Sequence, residues 1–130
     1  MTKRTKVAIR KLPTGVPGLD QILGGGLPEF SFNIIAGTPG CGKTTLAHQI
    51  AFANATAERP ALYFTILGEP ALKMLRYQQQ YDFYDETMMG SAIRFINLSE
   101  QVLKGDWNVV LDAIISEVEA ANPAIVIVDS

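Results

Sequence analysis

Four apolar runs, "FSFNIIA", "ALYFTIL", "AIRFINL" and "AIVIVD", occupy residues 30–36, 61–67, 92–98 and 124–129, each bounded by glycine, proline or polar residues. Runs of this length and β-branched or aromatic content read as strands. Between them the spacing changes to a helical period. Leu46, Ile50 and Ala53 recur within "KTTLAHQIAFANATA", so a helix is expected from Lys43 onward. "PALKMLRYQQQYDF" gives a helix with Pro70 in its first turn and Leu72, Leu75 and, less regularly, Met74 on its apolar side. Asp106 is placed to cap a longer helix ending near Ala121. In it Val110, Leu111, Ile114, Ile115, Val118 and Ala121 form one stripe, with Asp112, Ser116, Glu117 and Glu119 facing away. Strands alternating with helices predict an α/β fold, a parallel sheet with helices on both faces. "AIVIV" has no polar residue on either face, so it is expected to be buried on both.

Ahead of the first run lies "LPTGVPGLDQILGGGLPEF". Pro13, Gly15, Pro17 and Gly18 punctuate a turn, "LDQIL" has room for little more than one helical turn, and Gly24, Gly25 and Gly26 end it. The stretch reads as an ordered lead-in. No repeat or low-complexity segment accompanies it.

A 48% hydrophobic fraction and a net charge of −2 over 130 residues fit one globular domain. No run approaches the ~18–20 apolar residues of a membrane span, and "MTKRTKVAIRK" lacks the apolar stretch of a secretory signal. The expected location is the cytoplasm. The single cysteine, Cys41, fits a reducing compartment and reads as a small residue in a tight loop. Five of the eleven basic residues lie in an N-terminal arm, residues 1–11, which reads as a solvated tail. Residues 12 to 130 hold six basic and thirteen acidic side chains, a formal −7 that disfavours nucleic acid as a partner.

The chemistry concentrates at "GTPGCGKTT", residues 37–45, directly after one predicted strand and before one predicted helix. Gly37 through Thr44 satisfy the spacing G-x-x-x-x-G-K-[ST] at every fixed position. Glycines let successive amides turn inward as an anion nest, and the helix that follows adds the positive end of its dipole. Gly37, Thr38, Pro39, Gly40, Cys41, Gly42, Lys43, Thr44 and Thr45 are therefore read as a cradle for ATP or GTP, the pattern alone not choosing between them. Lys43 is a charge for the β- and γ-phosphates, and the Thr44 hydroxyl is a ligand for Mg2+. Asp129 ends an apolar strand where a magnesium carboxylate is needed. Glu69, just past the second strand, is read equally as the base for an attacking water or as a favourable charge in the first turn of a helix.

These residues resemble the KaiC-like branch of the RecA-superfamily ATPases. The resemblance rests on the lead-in, the loop, the "EP" after the second strand and the strand "AIVIVDS", and it covers most of residues 12 to 130. It implies a RecA-like P-loop core that binds ATP between adjacent subunits of a homo-oligomer, commonly a hexameric ring. Lys43, Thr44 and Asp129 keep the roles read above, and Glu69 is the catalytic base. Relatives often carry two adjacent acids there. Here Gly68 precedes Glu69, so one remains. The resemblance also implies further strands after the aspartate strand, so residues 12–130 are expected to be the N-terminal part of such a domain. The leading function is an ATPase coupling its Mg-ATP state to assembly or signalling, with protein partners possible. The alternatives are a nucleotide-responsive scaffold with little hydrolysis and a DNA-dependent ATPase of recombinase type.

Several other residues are given ordinary roles. His48 reads as a polar helix residue, Trp107 as packing over a helix start, and Tyr77, Tyr81, Phe83 and Tyr84 as a packing surface.

Overall fold

The computed structural model describes residues 6–66 and 71–130. Leu67, Gly68, Glu69 and Pro70 lie outside the described residues, as do the first five of the basic arm. The proposed base Glu69 is therefore not located.

Two short strands, β1 (Lys11–Leu12) and β2 (Leu27–Pro28), pair antiparallel around a single helical turn, α1 (Leu19–Ile22). This is the lead-in. Thr14 is fully buried, and Asp20 Oδ1 accepts from both its amide and its hydroxyl, at 2.9 and 2.6 Å. Those hydrogen bonds, the hydroxyl first, hold the Asp20 carboxyl below its usual range. Gly26 passes so close to β1 that a Cβ there would sit 2.1 Å from the Leu12 carbonyl oxygen, which explains the last of the three glycines.

The main sheet contains β3 (Ala61–Thr65), β4 (Ile93–Asn97) and β5 (Ile125–Asp129), all parallel, in the order β4-β3-β5. Register sets Tyr63 opposite Ile127 and Thr65 opposite Asp129. Helix α2 (Lys43–Asn54) covers one face: its Ala51, with Ala55 just after it, packs with Ala61, Ala92 and Ile93, joined by Phe95, Ile125 and Ile127. On the other face Leu62 and Phe64 meet Leu98, α4 (Ser99–Leu103) and α5 (Trp107–Ala121) through Val102, Val110, Ile114, Val118 and Ala121. Each fully buried aliphatic or aromatic side chain contributes roughly 1.5–3 kcal/mol. The expected arrangement, a parallel sheet with helices on both faces, is thus present. α3 (Ala71–Gln78) follows the undescribed segment. Asp106 caps α5 as read, its Oδ1 accepting from the Asn108 amide at 2.9 Å.

Several expectations need correction. Residues 30–36 form no strand; Phe30, Phe32 and Ile34 are exposed, and no described strand offers this segment a ladder of hydrogen bonds, which apolar content cannot replace. The buried face of α2 is Ala47, His48, Ile50 and Ala51, while Leu46 is only half-buried and Ala53 faces outward. In α5 the core stripe runs Val110, Ile114, Val118 and Ala121; Leu111 and Ile115 turn outward, and Trp107 is largely exposed. β5 is buried only in part, since Val126 and Val128 remain exposed beside the helical layer. Phe83 and Tyr84 do pack, against Phe52 of α2 at 5.7 and 5.5 Å between ring centroids. Among the described residues, no helix is long and apolar enough to cross a membrane.

Candidate functional site

The glycine loop enters α2 through Gly42, whose φ of 98° is open to glycine and strained for other residues; Gly40 shares this left-handed geometry at 79°. The helical ladder opens with the Leu46 amide donating to the Gly42 carbonyl at 2.9 Å. The amides of Lys43, Thr44 and Thr45 thus precede the ladder and form the positive end of the helix. Lys43 curls back over the loop, its Nζ donating to the carbonyls of Gly37 at 2.6 Å and Thr38 at 3.2 Å. The ammonium and the unladdered amides therefore lie together where the loop enters the helix.

Fold topology joins that loop to a residue 85 positions away. Thr44 Oγ1 donates to Asp129 Oδ2 at 3.0 Å, because α2 lies across the face of the sheet on which Asp129 ends β5. The same carboxylate oxygen accepts from the Tyr63 phenol at 2.5 Å. Burial, followed by this hydrogen bond and the adjacent carboxylate charge, pushes the Tyr63 phenol far above its usual pKa, so it stays protonated and donates. Next to the site, Thr44, Thr65, Met74, Tyr77, Gln78, Asp129 and Ser130 line a cleft of about 370 Å³. Gln78 is buried there, its Oε1 without a hydrogen-bond partner among the described residues.

Beneath the site lies His48. It is buried, neither ring nitrogen finds a hydrogen-bond partner among the described residues, and its ring stands edge-on to Tyr63 at 4.7 Å and tilted against Phe95 at 5.4 Å. Burial lowers its pKa to about 4, the nearby Asp129 charge opposing the shift. It is a neutral core residue, which corrects the reading of His48 as a polar helix residue. Tyr63 and His48 were missed as parts of this region. The signal for Tyr63 was a phenol hydroxyl in the middle of a largely apolar strand; for His48 there was none, because helical spacing pointed to Leu46 and Ala53.

The sequence-predicted residues divide plainly. Gly37 to Thr45, Lys43, Thr44 and Asp129 come together at one end of the sheet. Glu69 lies outside the described residues. Among the described residues there is no cluster of three or more His, Cys, Asp or Glu side chains that would cage a metal. Thr44 and Asp129 are hard oxygen donors of the kind that hold Mg2+ together with substrate phosphates, so the residues present fit that ion.

Residues 12–130 match the family described as ATPase: KaiC. Over 121 residues, 93% of this chain and 22% of the relative, the sequence is 37% identical to the DNA repair protein RadA of Mycobacterium tuberculosis. It is 32% identical over 128 residues to the DNA repair protein RadA of Pseudomonas aeruginosa, 96% of this chain and 24% of the relative. A UPF0273 protein of Methanopyrus kandleri is 34% identical over 64 residues, 49% of this chain and 25% of that protein. The chain thus spans about a quarter of the length of the curated relatives it matches. With its phosphate-type loop, parallel sheet and near-complete match from residue 12 onward, the chain belongs to the KaiC family of RecA-superfamily P-loop ATPases.

Proposed function

We propose that this chain binds Mg-ATP at the loop of residues 37–45 and hydrolyses it, coupling nucleotide state to the assembly or signalling of a cytoplasmic homo-oligomer. The observation that carries this reading is the 3.0 Å contact between Thr44 and Asp129, which draws the start of α2 and the end of β5 together one residue from Lys43. Lys43 exchanges its loop carbonyls for the β- and γ-phosphates, and the amides at the start of α2 face the β-phosphate. Thr44 and Asp129 would hold Mg2+. When bound, the ion neutralises charge on the phosphate oxygens. Glu69 orients a water and takes its proton as the water oxygen bonds to the γ-phosphorus and the bond to the β-phosphate oxygen breaks, leaving ADP and inorganic phosphate.

Phosphate release by the full chain, compared with Glu69→Ala, tests the reaction. A drop of roughly hundredfold or more is expected, the size of a general-base contribution. Equal, near-background rates would instead mean a nucleotide-responsive scaffold that holds ATP without turning it over. The relatives named DNA repair protein favour a second reading, ATP use coupled to DNA. The acidic body of residues 12 to 130 speaks against it. Filter binding at low and high salt separates the two, because phosphate contacts produce a steep salt dependence.

A further inference from the structure

We infer that Tyr63 is a positioning residue for the Asp129 carboxylate, an inference that rests on the magnesium role proposed above for Asp129. Tyr63 sits mid-strand in β3, fully buried, with Ile127 as its register partner. Asp129 is two residues farther along β5 on the same face, a diagonal neighbour within reach of a long aromatic side chain. The phenol spans that diagonal and donates to Oδ2 at 2.5 Å.

Its ring has little freedom to do otherwise. His48 stands edge-on to it at 4.7 Å, and Phe95 lies tilted against it at 5.1 Å. A carboxylate at a strand end can turn about two side-chain bonds, whereas a packed tyrosine offers its hydroxyl at one fixed point. Two hydroxyls, those of Tyr63 and Thr44, converge on Oδ2, and Oδ1 accepts from neither. Of the two donors, only Tyr63 has no second task, since Thr44 is itself a ligand in the proposed site. A phenylalanine would fill the same buried space without bringing a hydroxyl that must be satisfied. The polar tip is explained if its work is to fix the direction in which Asp129 presents its other oxygen.

The test is Tyr63→Phe in the full chain, with ATP binding followed by calorimetry in EDTA and across a Mg2+ titration. Affinity in EDTA should stay at the wild-type value. The Mg2+ concentration needed for half of the metal-dependent gain should rise roughly tenfold, as when a partner of a metal ligand is removed. An unchanged Mg2+ midpoint would overturn the inference, because a purely structural hydroxyl alters stability alone. Asp129→Asn supplies the reference. If it matches wild type in Mg2+ response, the magnesium role of Asp129 itself fails and the positioning role goes with it. Should Tyr63→Phe not fold, the wild-type hydroxyl decides by proton NMR. A slowly exchanging Tyr63 hydroxyl that shifts on adding Mg2+ to the ATP complex supports the inference, and one exchanging at the solvent rate overturns it.

Discussion

Replacing Lys43 with alanine is expected to abolish tight ATP binding while leaving the protein folded. The side chain contributes nothing to either apolar cluster, and among the described residues its ammonium hydrogen-bonds to the Gly37 and Thr38 carbonyls of its own loop. Losing it therefore costs the core little. Toward a triphosphate the balance differs, because a hydrogen bond to a charged group is worth about 1.5–3 kcal/mol and Lys43 serves two phosphates. A loss of about 3 kcal/mol or more corresponds to at least roughly a hundredfold in Kd. Calorimetry on the variant, with circular dichroism to verify folding, reads this directly. An unchanged affinity in a folded variant would remove the phosphate cradle from the account.

Acid should unfold this protein early, and His48 should be the reason. Its folded-state pKa is lowered to about 4 from the ordinary 6.5 by burial. The unfolded chain therefore binds a proton at a pH where the native state refuses it. Stability linked to this residue is complete above pH 6.5 and is lost as pH falls through 6.5 toward 4. At about 1.4 kcal/mol per pH unit, the loss reaches about 2 kcal/mol by pH 5 and about 3 kcal/mol by pH 4. The groups facing the ring are the Tyr63 phenol from β3 and the Asp129 carboxylate from β5; the second limits the shift without cancelling it. Urea midpoints of the metal-free wild type and of His48→Phe should differ in their pH dependence by this amount between pH 7 and pH 5. Parallel curves would show that the ring carries no such proton linkage.

The loop was readable as a candidate because its chemistry is contiguous: glycine spacing, Lys43 and Thr44 together suggest an anion nest at a helix start, and the helix is present while the strand expected before it is not. The Asp106 cap and strands β3 and β4 were legible for the same local reasons. What eluded sequence reasoning depends on which elements become neighbours. Residues 30–36 have strand composition, yet a strand exists only through a partner, and none of the described strands serves. The outward turn of Leu111 and Ile115 follows from the angle at which α5 lies on the sheet, a quantity that helical periodicity does not contain. The Thr14 and Asp20 clasp closes over six residues through side chains, so the lead-in read as ordered without revealing why. Tyr63 meets Asp129 only because β3 and β5 are adjacent and in a particular register. Glu69, a candidate from its position alone, lies outside the described residues.

The central claim is that Lys43, Thr44 and Asp129 form one triphosphate site. Calorimetric titration of the wild-type full chain with ATP in the presence and absence of Mg2+, with AMP as the control ligand, addresses it most directly. The account predicts saturable binding of ATP that tightens when Mg2+ is present, and no binding of AMP at the same concentrations, since AMP has neither the β- nor the γ-phosphate that the loop and Lys43 address. Binding of AMP as tight as that of ATP, or ATP binding indifferent to Mg2+, would contradict it.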